Sequence, residues 1–268
     1  MADPGPYAYD GSALRAALVR RASHSALIAP GSPASSVRGD RRKARRRGPL
    51  DTTCVYDAAY LPTSGVQLDR CVYYARTVDA VVVQDFVRAT KRRGTVRQSW
   101  ILPRAVTARD KGRSVKMSSH AAGGASREAR LASTGNPRVR RGSTRAGVLG
   151  QHYGSRETGS VVSVPIKAPL GRTRTQLTAI ASQGGAVHVA TTRRKGRSAI
   201  RVTVGGRSQT FASAFSKFRR LAAKVSLRVS DRTVRRGQKV RFTARATSLG
   251  RPAKRAQVSL QRLRHGHW

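Results

Sequence analysis

The residues best placed to do chemistry stand at the very start of the chain. The first 31 residues read MADPGPYAYDGSALRAALVRRASHSALIAPG, with Tyr7 and Tyr9 as an aromatic pair and His24 between two serines. A histidine there can bind a metal or move a proton near neutral pH. Read from its neighbours alone, His24 is an ordinary strand histidine bonded to backbone. His152 and Tyr153 in QHYGSRETG suit a structural role at a strand entry, and His265 and His267 are too close in sequence to define a metal site. Asp and Glu total only 12, which argues against the paired carboxylates of a glycosidase. The chain has no Gly-rich phosphate loop, no C-x-x-C pair and no G-x-S-x-G elbow.

Two cysteines, Cys54 and Cys71, lie in TTCVYDAAY and VQLDRCVYYARTV, which read as two strands around an LPTSG turn. Folding the segment symmetrically about Thr63 sets Cys54 opposite Val72, one residue from Cys71. A cross-strand disulfide, which would mark an oxidising compartment, and two small buried thiols fit this placement equally.

Lys and Arg total 54, giving a formal net charge of +42. That excess attracts polyanions without choosing among anionic polysaccharide, nucleic acid and an anionic envelope surface. The arginines are spread along the whole chain, so most of them belong to solvated faces. A hydrophobic share of 38% in patterned runs is enough to fold. No apolar stretch reaches bilayer-spanning length. Met1-Ala2-Asp3-Pro4 lacks the basic and apolar regions of a signal peptide, so if the mature protein is exported its signal is expected upstream.

The elements that must position these groups are short strands between Gly, Pro and charged turns. AVVVQDFVRAT (80–90), TVRQSWILP (95–103), AVHVATT (186–192) and AIRVTVGGR (199–207) carry β-branched and aromatic runs or alternation. The expected fold is all-β, an antiparallel, supersandwich-like β-sandwich. RGDRRKARRRGP (38–49) reads as a surface loop, and 104–150 as weak strands between long basic loops. FASAFSKFRRLAAK (211–224) sets Phe211, Phe215, Phe218 and Leu221 at helical spacing, an amphipathic helix or linker with a core-facing Phe stripe. Beyond it, Val225, Leu227 and Val229 alternate, as do Val240, Phe242 and Ala244, and Val258 pairs with Leu260. This last stretch resembles the first strands of a bacterial immunoglobulin-like module, one that would continue past the final HGHW. The expected division is a sandwich over 1–210, a linker over 211–223 and a partial immunoglobulin-like sandwich over 224–268.

Four stretches in collinear order carry a larger resemblance. DPGPYAYDGSALRAALVRRASHSALIAPG matches a D-x-G-x-Y-x-Y pattern followed by a His motif. CVYYARTVDAVVVQDFV carries an Arg-Thr-Val and, after an apolar run, an Asp. VRQSWILP ends a strand in Trp, aliphatic residues and Pro, and LGQHYGSRETGSVVSVPIKAPLGRTRTQLTAIAS has a Tyr-Gly before a strand and a Leu-Thr run. Over about residues 2–205 the chain resembles the carboxyl-terminal sandwich of heparinase II/III-type polysaccharide lyases. The resemblance implies β-elimination at a 4-linked uronic acid, with the site between a helical toroid and the sandwich. Such a reaction needs the substrate carboxylate neutralised, a base for the C5 proton and an acid for the leaving oxygen. The resemblance places those catalytic groups upstream of Met1, together with a G-H-x-D-x-G-x-F segment. It also implies a structural zinc held by Asp3, His24 and a third histidine in that upstream segment. Ser25 departs from the Asn that the family has after its His. Tyr7 and Tyr9 would pack beside the site rather than catalyse.

Two functions follow as expectations. The first is the sandwich part of a secreted or cell-envelope lyase for anionic polysaccharide, inactive without its toroid. The second is a non-catalytic basic module binding anionic glycan or nucleic acid, favoured by the 38–49 arm. Nucleic acid is the disfavoured partner, because only 5% of residues are aromatic and no nucleic-acid motif is present.

Overall fold

Runs of β-branched residues broken by Gly and Pro turns become antiparallel strands throughout the computed structural model. It describes residues 24–31, 40–41, 44–57, 59–120, 126–142, 148–149, 157–182, 185–214, 218, 223–229, 242–248 and 251–252. The chain divides into two compact units, Met1–Phe218 and Arg219–Trp268. Among the described residues no helix is long and apolar enough to cross a membrane.

The first unit is a β-sandwich built on a nine-stranded central sheet. Its order is Asp40–Arg41, Leu50–Asp57, Val66–Ala75, Ala80–Ala89, Arg174–Ala181, Ser126–Ser133, Ser114–His120 and Val106–Lys111, with Arg45–Arg47 also paired to Leu50–Asp57. One face packs on a four-stranded sheet of Leu27–Ile28, Gly94–Leu102, Ser160–Ala168 and Arg138–Arg141. The other face packs on a three-stranded sheet of Val187–Arg194, Arg197–Val204 and Arg207–Ala212. Strand Ala80–Ala89 is therefore covered on both sides. This is why it reads as an apolar run instead of the alternation expected for a half-solvated antiparallel strand. Val82 and Phe86 enter the core shared with the three-stranded sheet, and Val83 and Val87 enter the cores shared with the four-stranded sheet.

The same strand carries two adjacent polar residues, and strand geometry sends them to opposite faces. Asp85, with no solvent exposure, accepts from Arg70 Nε at 2.7 Å, from Arg70 Nη2 at 2.9 Å and from Gln98 Nε2 at 2.7 Å. Gln98 stands on the four-stranded sheet, and its Oε1 accepts from Thr178 Oγ1 at 2.6 Å and Trp100 Nε1 at 3.2 Å. On the other face Tyr73 Oη donates to Gln84 Oε1 at 2.7 Å, and Gln84 Nε2 donates to Ser213 Oγ at 2.6 Å. The Ala214 amide donates to Tyr73 Oη at 2.9 Å. Each polar cluster ties the central sheet to one neighbouring layer.

Several expectations need correction. Cys54 and Cys71 face each other directly and form a disulfide, so the hairpin's symmetry point lies between Pro62 and Thr63. The shift arises because Leu61–Ser64 makes one helical turn, closed by Gly65 at φ 67°. Within 38–49, read as a loop, Asp40–Arg41 and Arg45–Arg47 are short strands on Leu50–Asp57. Within 104–150 the expected strands are present, as Val106–Lys111, Ser114–His120 and Ser126–Ser133 of the central sheet, but the first two are joined by a tight turn with Gly112 at φ 59° and not by a long basic loop. Phe211 lies in strand Arg207–Ala212 opposite Ile200, so no helix runs through it. Its ring packs 5.0 Å from Tyr73, and sheet burial overrides the helical spacing. Phe215 and Leu221 lie outside the described residues.

In the second unit Ala223–Val229, Phe242–Ser248 and Arg251–Pro252 form an antiparallel sheet. Val240, Val258 and Leu260 lie outside the described residues.

Asp85→Ala would strand the Arg70 guanidinium beside an apolar core. The expected loss is about 3 kcal/mol in urea unfolding, at the lower end for a broken buried pair because the Arg70 side chain keeps 20% exposure. A loss under about 1 kcal/mol would show that the pair holds nothing. The Cys54–Cys71 link closes a short loop, and replacing both by Ser should cost about 3 kcal/mol in the same measurement.

Candidate functional site

His24 is half-buried just before strand Leu27–Ile28, which runs against Gly94–Leu102. Its neighbour Ser25 joins the two strands, since Ser25 Oγ accepts from the Ile101 amide at 3.0 Å and the Ala26 carbonyl accepts from the Ser99 amide at 2.9 Å. A small cavity of about 230 Å³ beside Ser25 is lined by Asp57, Asp69 and Arg70. Among the described residues no group of three or more His, Cys, Asp or Glu stands together as a metal-binding set. His24 is the described member of the expected zinc pair, while Asp3 lies outside the described residues. So do Tyr7, Tyr9, His152, Tyr153, His265 and His267. The described residues thus do not make up a zinc site.

A more developed feature lies where the central sheet extends past the four-stranded one. There a cleft of about 620 Å³ has a floor of Trp100, Leu102, Met117, Leu131 and Ile180. Ser118, Ser119, Ser126 and Ser182 stand on its rim with Arg127 and Glu128. Trp100 is held from both sides. Its indole N–H is bound to Gln98, and the Arg70 guanidinium lies 5.6 Å from its ring centroid, within cation–π range. The Asp85 cluster therefore fixes the cleft floor as well as the layer contact.

Glu128 pairs with Lys116, whose hydrogen bond holds its carboxyl below the usual value. It is thus an anion at neutral pH, and not a proton donor. An apolar floor with hydroxyls, one guanidinium and one carboxylate at the rim suits a ligand with an apolar face and polar edges.

Sequence reasoning singled out neither Trp100 as a floor residue nor Asp85 and Arg70 as its supports. The signal for them was a carboxylate inside the apolar run AVVVQDFV, which must find a partner if the strand is buried. Elsewhere in the first unit, Arg88 donates to Gln67 Oε1 at 2.7 Å and lies 4.9 Å from the Phe218 ring centroid. Burial lowers its pKa from the ordinary arginine value. That arrangement is a packing contact for Phe218.

No family model matches the sequence, and no curated protein does. Solved structures do match the fold. A heparinase III gene product superposes with a TM-score of 0.62 at 16% identity, over 78% of this chain and 33% of that one. A mutant of the heparan sulfate lyase HepC from Pedobacter heparinus gives 0.64 at 14% identity, over 81% of this chain and 35% of that one. A further heparinase III structure gives 0.59 at 15%, over 78% and 33%. This chain spans about a third of the length of these proteins, and at such identities what it shares with them is the fold of their β-sandwich portion.

Proposed function

We propose that the chain acts as the β-sandwich module of a heparinase II/III-like polysaccharide lyase and binds uronate-bearing anionic polysaccharide. The observation that supports this best is the superposition of 81% of the chain on the heparan sulfate lyase fold. The Trp100 cleft offers a surface for a sugar ring, and the net charge of +42 supplies attraction for a carboxylate- or sulfate-bearing chain. In β-elimination the uronate charge must be neutralised before the C5 proton can leave. In this reading the sandwich contributes cationic binding, and the acid and base stand on a helical toroid that completes the site. The disulfide fits a secreted or cell-envelope location, where thiols are oxidised. The Asp3 and His24 zinc pair belongs to the same reading.

Calorimetry and an absorbance assay for the unsaturated uronate product test it together, with heparin, heparan sulfate, hyaluronate and alginate. The expected outcome is salt-sensitive binding without turnover by this chain alone. Rapid product formation would overturn the division of labour between sandwich and toroid. Tighter binding to DNA than to any of the polysaccharides would favour the second reading, a nucleic-acid-binding basic module. For the metal, Asp3 and His24 supply two of the three expected ligands, so zinc titrated into the chain should bind weakly and bind less in His24→Ala. Equal zinc binding in both proteins would remove His24 from the set.

A further inference from the structure

Tyr74 is the one large hydrophobic side chain standing exposed among the described residues, at 39%. Its hydroxyl donates to Asp79 Oδ1 at 2.7 Å, and Asp79 Oδ2 accepts from Ser182 Oγ at 3.2 Å. Asp79 sits at φ 48°, in the left-handed region that Asp enters more readily than most non-glycine residues. The hydrogen bond to Asp79, and then its charge, raise the Tyr74 phenol above its ordinary pKa. The ring is therefore a neutral, fixed plate at neutral pH and no candidate base.

Beside the ring runs a groove of about 430 Å³, lined by Arg45, Arg46, Asp51, Thr53 and Val72. Asp51 is matched by Arg76, whose Nη2 donates to it at 2.5 Å, while Arg45 and Arg46 stand exposed. Strand register puts Arg46, Asp51 and Tyr74 in one transverse row, with Arg45 opposite Thr52 one position off it. Arg46 is opposite Asp51, Asp51 opposite Tyr74, Tyr74 opposite Val81, Val81 opposite Ile180 and Ile180 opposite Leu131. Ile180 and Leu131 already belong to the Trp100 cleft, and Ser182 both lines that cleft and bonds the Asp79 that holds Tyr74. With neighbouring strands about 4.8 Å apart, the row spans roughly 24 Å, room for several sugar units.

We infer that Tyr74, Arg45 and Arg46 form a second sugar subsite on a track leading into the Trp100 cleft. The Tyr74 ring carries the C–H face of one sugar, and the two guanidiniums take a carboxylate or sulfate on that unit or the next. This rests on the reading of the chain as a binder of anionic polysaccharide. A glycan fits the row better than a nucleic acid does. Beyond Tyr74 the row continues in aliphatic Val81 and Ile180, whereas single-stranded nucleic acid is held by successive aromatic platforms.

Calorimetry on the full chain with a heparan sulfate hexasaccharide, a hyaluronan hexasaccharide and dextran sulfate tests the subsite. Tyr74→Ala and the double variant Arg45→Ala/Arg46→Ala should each weaken binding about tenfold, while Tyr74→Phe, which keeps the ring, should bind like the parent. Loss with hyaluronan as well as heparan sulfate assigns the guanidiniums to carboxylate; loss confined to the sulfated ligands assigns them to sulfate. All three replaced side chains are exposed, and thermal melts matching the parent exclude misfolding as the cause. Parent-like affinity in both Tyr74→Ala and the double variant, with the parent binding normally, would overturn the subsite and leave the functional reading intact. A parent that binds none of the three ligands would overturn both. Stronger binding of an oligodeoxynucleotide, lost in the same variants, would overturn the sugar assignment in favour of nucleic acid.

Discussion

The Asp85 carboxylate has no solvent exposure and must be held by its neighbours or cost several kcal/mol. Arg70 meets it with two parallel N–H bonds from the adjacent strand, and Gln98 adds a third from the other layer. These bonds have directions, and apolar contacts do not. A slip of Gly94–Leu102 by one residue would point Gln98 away from Asp85 and leave an ion without its third partner. The pair thus specifies one alignment of the two sheets, where the Val, Ile and Leu contacts around it would tolerate others. Trp100 takes its place in the cleft from the same alignment.

The reverse face of that strand repeats the device with neutral groups. Gln84 reaches the three-stranded sheet through Tyr73 and Ser213, and Gln209 adds bonds to the Thr77 amide and the Pro49 carbonyl. Two consecutive residues on one strand therefore anchor two different layers. The charged anchor lies on the side of the cleft and of Tyr74. The uncharged one lies under a layer whose three strands all carry exposed arginines.

Much of this was legible from local pattern. The strands around Trp100, Val189 and Val202 follow from β-branched residues at period two, the strand around Val83 from its apolar run, and the antiparallel class from the turn residues between them. The third layer was hidden, because an apolar run on Ala80–Ala89 says both faces are covered without saying by what. Strands Ser114–His120 and Ser126–Ser133 are rich in Ser, Ala and charge, so the sequence shows them only faintly and their bounds come from their neighbours in the sheet. Phe211 misled because its spacing to Phe215 and Phe218 suits a helix, while its burial against Tyr73 decides for strand. Tyr74 was invisible for a different reason. Its fixed ring depends on the backbone angle of Asp79 and on Ser182, a residue brought in from a distant strand.

The strand order also bears on how such a chain is made. Ala80 finds its partner in Ala181, whereas Cys54 and Cys71 are joined within a hairpin closed by a single helical turn. During synthesis that hairpin can form and oxidise early, from local contacts alone. Asp85, on the strand that follows, must wait for Gln98, and the Ala80–Ala89 edge stays open until residues 174–181 have emerged. A nascent chain of this design carries an apolar strand with one unpaired edge through much of its elongation, the condition under which β-rich proteins fold slowly and self-associate. The early covalent hairpin shortens the list of wrong partners that edge can find, because its other side is already occupied in the correct register.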